Sequence, residues 1–165
     1  MVGIAHQPPS ANFLGGIMGS SPYWYYVPYE ADRNNALNKL RTREFEAGRY
    51  NPVMEDIDFP ITDESECPGQ AHKTIEEALE DSDADGTRSI LDLTSVSSND
   101  DYCVARILVE DELTRYFGTN KPTKEIIEEN FENFLEDIDR GKGFCITVYK
   151  NEMPDELFFI GYSFD

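Results

Sequence analysis

Positive charge is scarce in this sequence. Over 165 residues, 14 Lys and Arg face 33 Asp and Glu, a formal charge of −19. Proteins hold phosphate backbones and anionic head groups through clusters of Lys and Arg, so neither nucleic acid nor a membrane surface is an expected partner. Histidine is nearly absent. His6 and His72 stand far apart, without the spacing of a metal pair or a catalytic triad. Cysteine is limited to Cys67, Cys103 and Cys145, with no C-x-x-C pairing. That pattern argues against a disulfide framework or a structural zinc site and for free thiols in a reducing compartment. No apolar run approaches the roughly 20 residues that cross a bilayer. The N-terminus lacks the basic start and apolar core of a secretory signal. These absences predict a cytoplasmic protein. Phosphate-loop and nucleophile-elbow motifs are missing too: Gly141-Lys142-Gly143 lacks the rest of a Walker pattern, and no G-x-S-x-G occurs.

What is present suffices for a core: 39% of residues are hydrophobic and 12% aromatic. The length suits one domain, placed at 21–165. Residues 1–20, rich in Gly, Pro and Ser, read as a flexible extension. The aromatic run Tyr23 to Val27, bounded by prolines, predicts an edge or short strand. A helix follows from Asp32 to Gly48, and a long loop occupies 51–72. Thr74-Ile75-Glu76-Glu77 is a capping box opening a short helix. "SILDLTSV" and "YCVARILV" read as strands joined by a turn at 97–101, and "EDELTRYFG" as a short helix. Ile127, Phe131, Phe134, Leu135 and Ile138 recur at helical spacing, predicting one long amphipathic helix ended by Gly141. "FCITVYK" and "LFFIGYSF" predict a terminal hairpin. The order predicts an α+β domain: a mostly antiparallel sheet of about five strands with helices packed on one face.

One stretch carries a metal signature. Asp81-Ser82-Asp83-Ala84-Asp85-Gly86 places aspartates at loop positions one, three and five and glycine at six of an EF-hand calcium loop, and Asp92 falls on twelve. Asp81, Asp83, Asp85 and Asp92 are therefore the candidate calcium ligands. Arg88 stands where an apolar residue belongs, the exit segment reads as strand rather than helix, and no second loop accompanies the first. The competing reading is a turn, with Asp85-Gly86 leading a capped helix into a strand. No catalytic set can be built. An enzyme would have to place its site in the 51–72 loop.

Five of the basic residues, Arg33, Lys39, Arg41, Arg43 and Arg49, gather in and just after the first helix. They read first as partners for internal salt bridges and second as a local positive patch. The polar side of the long helix carries Glu125, Glu128, Glu129, Glu132, Glu136 and Asp137, an acidic ridge. "YWYYVPYEADRNNALNKLRTREFEAGRYNPVM", "IEEALEDSDADGTRSILDL" and "FFIGYSFD" resemble a family of small acidic bacterial proteins with no assigned activity. That resemblance supports one domain beginning near Ser20 and carries no activity, cofactor or catalytic residue over to this chain. The leading expectation is a non-enzymatic interaction protein with a basic protein partner, of the inhibitor or immunity type. Calcium binding is the alternative, and an unrecognised enzyme the second alternative.

Overall fold

The computed structural model describes residues 21–54 and 60–164. The segment 1–20, expected as an extension, lies outside the described residues. Five strands form one sheet: β1 (Pro22–Pro28), β2 (Ser95–Ser97), β3 (Val104–Ile107), β4 (Gly143–Lys150) and β5 (Met153–Tyr162). Their spatial order is β1-β5-β4-β3-β2. The expected strand number holds, but the sheet is mixed rather than mostly antiparallel. β1 and β4 flank β5 antiparallel, whereas β3 pairs parallel with both β4 and β2.

The helices explain the parallel pair. α3 (Glu110–Phe117), α4 (Lys124–Glu129) and α5 (Phe131–Glu136) all lie between β3 and β4. A parallel pair needs such a long crossover, where a two-residue turn would force antiparallel pairing. The β4–β5 link is such a turn: Asn151 and Glu152 both adopt positive φ, 51° and 61°.

The expectation of helices on one face is also corrected. α1 (Arg33–Ala47) covers one face, where Leu37 and Leu40 meet Tyr23, Tyr25, Cys145 and Phe159. The α3–α5 crossover covers the other, where Phe134 and Ile127 meet Phe144, Ile146 and Phe158. The physical reason is written in β5. Leu157, Phe158, Phe159 and Ile160 are an unbroken apolar run, all fully buried, so both faces of that strand need cover.

Helix ends follow local chemistry. Asp32 accepts from Asn35 N at 3.0 Å, and Thr74 accepts from Glu77 N at 3.2 Å at the start of α2 (Ile75–Ser82). Gly48 closes α1 at φ 76°, and a Cβ there would lie 2.2 Å from the Gly69 carbonyl oxygen, so only glycine fits. The long amphipathic helix is two helices. Asn130 breaks it by donating from its side chain to the Ile126 carbonyl at 2.8 Å, competing with the backbone ladder. "SILDLTSV" is mostly not strand: Ile90–Asp92 is a 3-10 turn, and strand begins at Ser95.

Candidate functional site

The four candidate calcium ligands do not share one environment. Asp81, at the end of α2, accepts from His72 Nε2 at 2.9 Å. Asp83 and Asp85 are exposed in a 3-10 turn that follows α2. Asp92 is buried, 3% exposed, and faces inward. Its Oδ1 accepts from Thr87 N at 2.8 Å and from Thr87 Oγ1 at 2.7 Å, and Thr87 Oγ1 also lies 2.8 Å from Ser89 Oγ. Gly86 sits above this knot, where a Cβ would lie 2.8 Å from Asp92 Oδ2. Among the described residues no group of three or more His, Cys, Asp and Glu is placed to hold a metal. The geometry makes Asp92 the internal tie of a turn, with Asp83 and Asp85 on its solvent side.

The structure joins His72 to residues that sequence spacing kept apart. Tyr50 is fully buried, and its hydroxyl lies 2.8 Å from His72 Nδ1 while accepting from Ala71 N at 3.3 Å. Because the Asp81 carboxylate must accept at Nε2, His72 carries a proton there, and its Nδ1 faces the Tyr50 hydroxyl. The chain Tyr50–His72–Asp81 pins the described end of the 51–72 loop to α2. Burial raises the Tyr50 hydroxyl's pKa, so the phenol stays protonated. Only the tertiary fold brings these three together, and no local motif could have flagged them.

The basic cluster of α1 is consumed internally. Glu44 is fully buried and takes both Nε and Nη2 of Arg49, at 2.5 and 2.7 Å, and Nε of Arg43 at 2.8 Å. The hydrogen bond to Glu44 holds the Arg49 guanidinium firmly in its charged form. Arg49 Nη1 also lies 2.7 Å from Cys67 Sγ. Arg43 pairs with Asp63, and Lys39 with Glu30. Arg33 donates to Thr147 Oγ1 and Arg41 to the Leu91 carbonyl. The internal-pairing reading of these residues therefore describes them, rather than a free positive patch.

Both sheet edges are guarded against strand addition. On β2, the Asn34 carboxamide mimics a neighbouring strand: Val96 N donates to Oδ1 at 2.8 Å and Nδ2 donates to the Val96 carbonyl at 3.1 Å. On β1, Tyr29 N bonds the Asp155 carbonyl and the Ser21 carbonyl takes Ser163 N. Odd positions thus face β5, and even positions face outward. Two of those even positions are Pro22 and Pro28, which have no N–H to offer. Ile61 further bridges β1 at Tyr23.

The α4–α5 surface differs. Ile127, Phe134 and Leu135 are buried, while Glu125, Glu129, Glu132 and Glu136 are exposed on the outer side. Among the described residues, no ion pair involves these four. At the β1 border of the same layer, Trp24 meets Phe131 edge-on at 4.8 Å, and Tyr26 stacks on Phe158 at 4.5 Å. Lys124, whose Nζ lies 4.2 Å from the Tyr26 ring centroid, lines a cleft of about 400 Å³ with Glu125, Tyr149, Lys150, Asp155 and Glu156.

No helix among the described residues is long and apolar enough to cross a membrane. Comparison of the chain with protein-family models, curated proteins and solved structures finds no match.

Proposed function

We propose that this protein is a non-enzymatic, cytoplasmic interaction protein that binds a basic protein partner, in the manner of an inhibitor or immunity protein. The observation that carries the reading is the outer side of α4–α5, where Glu125, Glu129, Glu132 and Glu136 are exposed and outside the described ion pairs. Those carboxylates lie outside the described ion pairs, whereas Lys39 and Arg43 of α1 are paired with Glu30, Glu44 and Asp63. A rigid ridge of one sign raises the encounter rate with an oppositely charged surface and rejects like-charged ones. The guarded sheet edges add support, because they leave side-chain surfaces rather than strand pairing as the means of contact.

The test uses the full chain as bait in lysate, with bound proteins released by a salt gradient. The expected result is a basic protein that elutes as salt screens the contact. The triple variant Glu129→Gln, Glu132→Gln, Glu136→Gln is expected to lose it. Retention of the same protein by the variant, or elution that ignores salt, ends the proposal.

A further inference from the structure

Trp24 is the one tryptophan in the chain, and it is half-buried on the edge strand β1. Its ring, with those of Tyr26 and Phe131, makes a short aromatic strip where the sheet meets α4–α5. All three rings are partly exposed, although each packs against the core cluster behind it. The strip already holds one cation. Lys124 Nζ sits 4.2 Å from the Tyr26 ring centroid. Carboxylates border it as well: Glu156 stands opposite Pro28 in the β1–β5 register, two residues from the Phe158 that faces Tyr26, and Glu128 is on α4, the helix that carries Lys124. Burial raises the Tyr26 hydroxyl's pKa, and the charges of Glu128, Glu156 and Glu125 add to that rise. Aromatic faces beside carboxylates are the chemistry that receives a guanidinium. The flat cation stacks on a ring while its N–H groups reach an acid.

We propose that the Trp24–Tyr26–Phe131 strip, with Glu128 and Glu156 at its border, is the docking surface for an arginine-bearing segment of the basic partner. This rests on the reading of the protein as an acidic interaction module and adds where the anchor lies. Lys124 on Tyr26 is the intramolecular example of the contact, and an arginine from the partner repeats it over Trp24 and Phe131. The acidic ridge of α4–α5 then steers the partner, while the aromatic strip anchors it. This division follows the general pattern in which buried aromatics and arginine carry affinity and rim charges set the rate of encounter.

An octa-arginine peptide is the probe, titrated at low salt into the full chain. Calorimetry reads binding anywhere on the surface, and acrylamide quenching of Trp24 emission reads coverage of the strip. The expected result is binding with loss of quencher access to Trp24, and weaker binding with less protection for octalysine. The double variant Glu128→Gln, Glu156→Gln is expected to lower octa-arginine affinity by about three- to tenfold, the effect of two partly exposed charge pairs. Binding by calorimetry with unchanged Trp24 quenching overturns the strip and leaves the acidic-module reading standing. Equal protection by octalysine and octa-arginine, or an unaltered affinity in the double variant, also overturns it. No binding of either peptide at low salt overturns both.

Discussion

Replacing Asp92 by alanine removes the carboxylate that ties the Gly86–Leu93 turn together. In the wild type, Asp92 Oδ1 accepts two hydrogen bonds, from Thr87 N at 2.8 Å and Thr87 Oγ1 at 2.7 Å. Thr87 is fully buried, so its N–H finds no water when the acceptor is gone. Hydrogen bonds to a charged group contribute about 1.5–3 kcal/mol each, and a buried orphan donor costs about 1–3 kcal/mol. Removing a buried carboxylate also relieves its own desolvation, which offsets part of the loss. The expected net destabilisation is about 3 kcal/mol, a large share of a typical 5–15 kcal/mol total. For a chain of this size it lowers Tm by about 6–12 °C. Asp85→Ala, in the exposed part of the same motif, is expected to cost under about 0.5 kcal/mol. Asp92→Asn keeps an oxygen toward Thr87 and is expected to fall between. Urea unfolding followed by Trp24 emission and circular dichroism measures all three. If Asp92→Ala costs no more than Asp85→Ala, the carboxylate is not the tie of the turn and the reasoning is refuted.

Four further outcomes follow from the structure. Calorimetry with millimolar Ca²⁺ is expected to give no heat, since Asp92 is committed to Thr87 and Asp81 to His72; saturable heat abolished by Asp83→Ala would establish the calcium loop. Arg49→Ala leaves fully buried Glu44 with Arg43 alone, and chemical denaturation is expected to show a loss of about 2–4 kcal/mol, somewhat below the cost of fully breaking a buried pair because Arg43 remains. A thiol reagent is expected to titrate exposed Cys67 in the folded protein and to reach Cys145 only on unfolding, because burial pushes the Cys145 thiol up to about 12; equal rates at both would contradict the core placement. The Lys142 hydrogen bond lowers the Asp100 pKa, so this pair contributes stability above the unfolded carboxylate value that is lost as pH falls through the folded one. Asp100→Asn is expected to soften the acid limb of a stability–pH curve slightly, the pair being exposed, and an unchanged limb would count against the pair.

Local chemistry was legible from sequence wherever one residue decides a backbone state. Asp32 and Thr74 cap helices, and Gly48 and Gly118 take positive φ where helices end, whereas the helix expected to run to Gly141 already stops at Glu136. The aromatic run from Tyr23 to Val27 is an edge strand because its flanking prolines cannot donate to a ladder. Asn130 was harder to read, since its side chain breaks the helix only by choosing a carbonyl four residues back.

The candidate site divides the same way. Charge and composition are sums over residues, so the acidic excess and the ridge of glutamates could be read from the chain by itself. So could the six-residue aspartate motif, but not its use. A carboxylate's role depends on which donors surround it, and those come from distant segments: His72 reaches Asp81, and Thr87 turns back onto Asp92. Strand direction was equally hidden, because apolar patterning reports burial and not the sense in which neighbours run. By itself, then, the sequence determined a foldable acidic chain, its caps and its turns, since these depend on one residue and its near neighbours. Only the tertiary structure decided the mixed sheet, the inward commitment of Asp92, Glu44 and Arg49, and the gathering of Trp24, Tyr26 and Phe131 at one border. Those depend on contacts between residues far apart in the chain, which no local pattern encodes.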